Sequence, residues 1–212
     1  MAGINRLARV AAPMVLPLMD MFYRWRWRNS GPNLSACRVC ITFDDGCCVF
    51  PLWDEWKIVL LPAEMQRISE FTGKDPSEFI DTTPLTPPQL EDYIDPGNED
   101  PLWARLFSLW TQPSGFKDKC PFVMAEGCSL PYEVKPFLCQ AYPLDFNITA
   151  GTLFVPEETD CPMLQSSRSL HEVLACFGDD WDSLQSRFEA FRQDFISLLN
   201  TLEGLEVAKC GS

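Results

Sequence analysis

The chain has 212 residues and a mass of 24.1 kDa, and its 46% hydrophobic content is enough for one sizeable core, so global disorder is excluded. Its formal net charge of −13 and pI near 4.4 argue against nucleic acid as the main partner, because phosphate binding needs clustered Lys and Arg. An acidic surface by itself does little more than keep a chain in solution.

The charge is uneven. Residues 1–28 hold Arg6, Arg9, Arg24, Arg26 and Arg28 against Asp20 alone, a balance of +4 that leaves −17 for the rest. The apolar run 10–19 is interrupted by Pro13 and Pro17, has no small-residue cleavage site after it, and is too short to span a bilayer, so we expect neither a signal peptide nor a transmembrane segment. Residues 21–28, M-F-Y-R-W-R-W-R, alternate aromatic and Arg. Such an arm, residues 1–30, either folds back over the acidic body or makes peripheral contact with an anionic membrane surface; folding back is the simpler reading.

Cysteines then dominate. Residues 37–48, C-R-V-C-I-T-F-D-D-G-C-C, carry Cys37, Cys40, Cys47 and Cys48. A Cys-x-x-Cys turn brings two sulfurs together at low entropic cost, as metal ligation requires, whereas adjacent Cys47 and Cys48 do not easily serve one tetrahedral ion and suggest two centres or one packing thiol. Segments 49–53 and 57–61 read as short apolar strands or extended pieces.

A helix is predicted to open at Pro62, with Met65, Ile68 and Phe71 on one face and Gly73 as its C-terminal cap. Asp75-Pro76-Ser77-Glu78 reads as a second start, with Asp75 capping and Glu78 completing the box. Residues 81–101 hold five prolines, six acidic residues and no cysteine, and read as an inserted surface excursion. Asp100-Pro101 opens a helix whose stripe is Leu102, Trp103, Leu106, Phe107 and Trp110, a pattern of core rather than of a cofactor site.

The stretch 120–143, C-P-F-V-M-A-E-G-C-S-L-P-Y-E-V-K-P-F-L-C-Q-A-Y-P, adds Cys120, Cys128 and Cys139 among prolines and Gly127 that fix short turns. Residues 145–149 and 152–155 around Ala150-Gly151 read as a hairpin with a two-residue turn. Cys161 precedes a helix started by Ser169 with Glu172 as capping partner. The last helix, N-capped by Asp180, shows Trp181, Leu184, Phe188, Phe191, Phe195, Leu198 and Leu202 at steps of three and four, a stripe suited to the body or to a partner chain.

Together Cys37, Cys40, Cys47, Cys48, Cys120, Cys128, Cys139 and Cys161 are enough for two four-cysteine sites, either zinc ions or iron–sulfur clusters, and spacing does not decide the metal. The alternative is five disulfides in an exported protein. Cys176 reads as a packing thiol, Cys210 as a tail thiol and His171, the single histidine, as a surface residue. There is no Gly-rich dinucleotide turn, no radical-type cysteine run and no paired-carboxylate motif.

These residues give the chain a family likeness. It resembles the YkgJ-like cysteine-cluster family, a zinc- or iron-chelating domain typified by C-x-x-C-x-x-C-C, over residues 37–80 and 116–165, closest at Cys120-Pro121-Phe122, Gly127-Cys128 and from Lys135-Pro136 through Cys139 to Tyr142-Pro143. The resemblance implies that Cys37, Cys40, Cys47, Cys48, Cys120, Cys128 and Cys139, with Cys161, are the ligands. Two departures stand out: residues 41–46 are six where the family motif has two, and Lys135 and Gln140 stand where the family places Arg. Loss of those arginines removes bidentate anion binding if relatives use it.

The expected architecture is an α-rich α+β domain, residues 31–178, with an irregular cysteine-rich metal-bound knot between amphipathic helices and one short β-hairpin, followed by a C-terminal helix and tail, 179–212. The expected role is a cytoplasmic metal-binding protein with iron–sulfur, a 4Fe–4S cluster favoured over Zn, acting in electron transfer or binding a protein partner. The alternatives are a metal-dependent protein-modifying enzyme such as a lysine N-methyltransferase, by distant likeness to flagellin lysine N-methylase, and a structural zinc fold that serves as an interaction module.

Overall fold

A computed structural model of the chain describes residues 57–93, 100–116, 120–124, 127–142, 144–155, 169–176 and 179–210. The basic N-terminal arm, the whole first cysteine cluster with Cys37, Cys40, Cys47 and Cys48, segment 49–53 and Cys161 lie outside these residues. The fold is α+β and mostly helical: α1 (Pro62–Thr72), α2 (Pro87–Tyr93), α3 (Pro101–Leu109), α4 (Phe137–Ala141), α5 (Leu170–Cys176) and α6 (Trp181–Cys210). Strands β1 (Ile80–Asp81), β2 (Gly115–Phe116), β3 (Val123–Met124), β4 (Gly127–Cys128), β5 (Asp145–Asn147) and β6 (Thr152–Phe154) form antiparallel pairs β1–β2, β3–β4 and β5–β6. Only the last pair was expected; the other two are two residues long and have no alternation long enough to read from sequence. No helix among the described residues is long and apolar enough to cross a membrane.

Local chemistry explains the helix boundaries. Pro62 fills the first position of α1, where a missing N–H costs nothing, and Gly73 takes the left-handed conformation (φ 68°) that lets its N–H reach the Ser69 carbonyl at 2.8 Å. The expected second start forms its capping box around Asp75 and Glu78 but runs only as a 3-10 turn, Pro76–Glu78. Phe71 shares the stripe of Met65 and Ile68, yet it stands in the last turn and is 53% exposed, so the packed surface of α1 ends at Ile68.

Helix α6, about 45 Å long at 1.5 Å per residue, closes the main core. Asp180 caps it by accepting from the Ser183 N–H at 2.9 Å, and Leu184, Phe188, Phe191, Phe195 and Leu199 are buried against α3 and α4. Its aromatic teeth meet partners at ring distances suited to edge-on and stacked pairs: Trp103 with Phe195 at 4.8 Å, Phe137 with Phe191 at 4.8 Å. Trp181, expected on the stripe, is more than a third exposed, because the first turn precedes the packed surface.

Residues 81–101 are not a mere surface excursion. Within them α2 delivers Tyr93 into the main core, against Trp103 and Phe107, while its hydroxyl donates to the Lys57 carbonyl (2.5 Å) and accepts from the Val59 N–H (3.0 Å). Those bonds hold segment 57–61 extended, as expected, where Val59 bridges Gly115 and the Leu60 N–H donates to the Ser114 carbonyl. The approach is close enough to require glycine: a Cβ on Gly115 would lie 2.5 Å from Lys57 Cε and 2.9 Å from the Ile58 carbonyl oxygen.

The β5–β6 hairpin differs from the expected two-residue turn. Asn147 pairs with Thr152, so the loop is the four residues 148–151, with Gly151 at φ 67°. Ile148 turns inward and is fully buried, and its N–H donates to Asp100, the N-cap of α3. Asp100 also accepts from Leu102 N (3.2 Å) and Thr149 Oγ1 (2.7 Å), so one buried carboxylate caps a helix and holds a loop 48 residues away. Removing it by Asp100→Ala loses a cap and leaves the Ile148 N–H without an acceptor, an expected cost of about 2–3 kcal/mol. Urea titration checks this; a loss under about 0.5 kcal/mol, typical of surface changes, would contradict it.

Candidate metal centre

A second, smaller core is built from Ile58, Leu60, Ile68, Phe79, Phe116, Phe122, Leu130 and Val134, and all three described members of the cysteine set belong to it: Cys120 buried within it, Cys128 and Cys139 half-buried against it. Each arrives on a different element. Cys120 begins a turn closed by the Val123 N–H on its carbonyl (3.2 Å), and Cys128 sits opposite Val123 on β4. The Ser129 N–H then returns to the Phe122 carbonyl at 2.8 Å, which fixes the two arms of the turn together. Cys139 stands on α4, whose first turn is set by Pro136 in extended geometry, with Cys139 N donating to the Pro136 carbonyl at 3.0 Å.

No disulfide joins any two of these three cysteines. Soft thiol donors in apolar surroundings, set on separate short elements, fit a thiophilic metal or cluster. Among the described residues no three His, Cys, Asp or Glu side chains make a group that could hold a metal, so these three do not form a complete set by themselves. The other expected ligands, Cys37, Cys40, Cys47, Cys48 and Cys161, lie outside the described residues. Phe122 lies in this core edge-on to Phe79 and Phe116. Phe137, two residues before Cys139, turns its ring into the main core against Phe146, Phe188 and Phe191. Helix α4 is thus the seam between the two cores, with Leu138 touching both. His171 is exposed in the first turn of α5, as expected.

The chain matches no family model, no curated protein and no solved structure.

Lys135 and Gln140, where the resemblance expects Arg, are both buried. Gln140 Nε2 donates to the Lys135 carbonyl at 2.6 Å, Arg67 Nη2 donates to the same oxygen at 3.2 Å, and the Tyr132 hydroxyl donates to the Gln140 carbonyl at 2.7 Å. These two positions therefore fasten the loop that leads into α4.

Glu64 was not singled out from sequence, and it is a buried charged residue bonded to the first turn of the helix that carries Cys139. It is 3% exposed; Oε2 accepts from the Leu61 N–H at 2.9 Å and Oε1 from the Phe137 N–H at 2.6 Å, with Arg67 Nη2 4.0 Å away. The first bond belongs to an ordinary capping pattern, three residues into α1, and a reader of Leu61-Pro62-Ala63-Glu64 could have found it. The second crosses 73 residues and has no local signal.

Burial pushes the Glu64 carboxyl up from 4.5 to about 7, with Asp194 adding to the rise and the two N–H groups and Arg67 opposing it. The folded chain then holds a proton that the unfolded chain releases between those values. The corresponding stability is present below pH 4.5 and is lost as pH rises to about 7, an effect on the order of 3 kcal/mol. Denaturant titrations across that window should show it in the wild type and not in Glu64→Gln; parallel profiles for the two would contradict it.

Proposed function

We propose that the chain is a metal-binding cysteine-cluster protein in which Cys120, Cys128 and Cys139, with Cys37, Cys40, Cys47, Cys48 and Cys161, hold one or two centres, iron–sulfur favoured over zinc. The observation that carries this reading is that three thiols on three short elements gather in one small apolar core, apart from the aromatic core that α6 closes. Packing alone gives little reason for three cysteines from a turn, a strand and a helix to share that cluster, whereas ligation needs it.

An iron–sulfur centre would supply one-electron transfer, while zinc would only cross-link the elements that hold it. The role we infer is electron transfer or binding of a protein partner, in the cytoplasm, where thiols stay reduced. Absorption of anaerobically purified protein tests the choice of metal: a broad visible charge-transfer band bleached by reductant or air is expected. Colourless protein with stoichiometric zinc would overturn the iron assignment while leaving the ligand set standing.

A further inference from the structure

Resting on the cysteine-centre reading, we infer that Glu64 is the positioning residue of the Cys139 thiol, clamping the first turn of α4 so that Cys139 is presented to the small core. Helix α4 has only five residues and is too short to hold its own orientation. Pro136 precedes it without an N–H, so the Phe137 N–H is the first donor of the helix, and Glu64 is its acceptor. The second oxygen of the same carboxylate takes the Leu61 N–H at the start of α1, so the clamp has one foot on each helix.

The rest of the turn is held from the same side. Arg67, one turn after Glu64 on α1, and Gln140, next to Cys139, both donate to the Lys135 carbonyl. The Phe137 ring is gripped between Phe188, Phe191 and Phe146 in the main core. With backbone and ring of Phe137 fixed, the side of α4 that bears Cys139 faces the cluster containing Cys120 and Cys128. An ionisable group held out of water is costly. Burial raises the pKa of this one to about 7, and the carboxylate nevertheless sits where two N–H donors from separate elements converge. Glutamine keeps the volume but offers one acceptor oxygen to two N–H groups.

Zinc-loaded full-length protein challenged with EDTA, and metal-free protein alkylated with iodoacetamide and mapped by mass spectrometry, test the inference. Glu64→Gln should lower metal affinity by about 10–100-fold, the scale seen when a group orienting a ligand is lost. It should lower it no further when Cys139→Ser is already present. In the metal-free protein, alkylation of Cys139 should accelerate relative to Cys128 in the same molecule. An unchanged affinity, an equal loss in both backgrounds, or an unchanged Cys139-to-Cys128 ratio would overturn the positioning role. Should Glu64→Gln fail to fold, Glu64→Asp keeps the charge and both oxygens but shortens the reach by one methylene, and the same outcomes apply. Wild-type protein that binds no metal would sink the cysteine-centre reading alone, and the alkylation ratio would still decide the role of Glu64.

Discussion

Cys139→Ser and Cys120→Ser are expected to lose the bound metal and to destabilise the small core, while Cys210→Ser changes neither. The magnitudes separate ligation from packing. As a half-buried packing thiol, Cys139 exchanged for serine would cost about 1 kcal/mol, the ordinary scale of a point change. As one ligand of a centre whose binding contributes on the order of 10 kcal/mol to folding, it takes most of that contribution with it. Cys210, last residue of α6, lies outside every spaced cysteine group and serves as the control. Metal content by elemental analysis together with thermal melting gives the comparison; three variants with equal metal and equal melting temperatures would refute the ligand assignment.

Phe188→Ala should cost about 3–5 kcal/mol, the range for emptying an aromatic site in a packed core. Phe188 is fully buried, with ring centroids 5.6 Å from Phe137 and 5.7 Å from Phe146, so three elements lose a shared contact at once. Against a typical total stability of about 5–15 kcal/mol, that is a large share. Leu205→Ala, on the same helix but 56% exposed, should fall within about 0.5 kcal/mol of the parent. A Phe188→Ala loss below about 1.5 kcal/mol in urea would mean that α6 does not close the core as described.

What could be read from the sequence was local. Pro62, Gly73, Asp75 and Asp180 act within a turn of themselves, as Asp100 does in capping α3, and their boundaries are where capping chemistry puts them. The stripe of α6 was legible for the same reason, since periodicity needs no knowledge of partners. The hairpin loop was misread because Ala150-Gly151 resembles a two-residue turn, whereas the register is set by burial of Ile148 and its bond to Asp100. Tyr93 was hidden in a segment whose prolines and acids suggest exposure, though one aromatic with two backbone partners is enough to draw it inward. The clamp at Glu64 depends on an acceptor and a donor 73 residues apart, and no pattern along the chain encodes that meeting. Of the cysteines, spacing says nothing of the small core in which Cys120, Cys128 and Cys139 meet, because Phe79 and Phe116 reach it from distant segments.

The most direct measurement is the metal content per chain of full-length protein purified under anaerobic conditions, with the reactive thiols counted in the same sample. The account predicts iron or zinc bound in stoichiometric amount, with the cluster cysteines protected from alkylation until the metal is removed. Metal-free protein whose cysteines all alkylate at once, or whose cysteines are paired as disulfides, would contradict it.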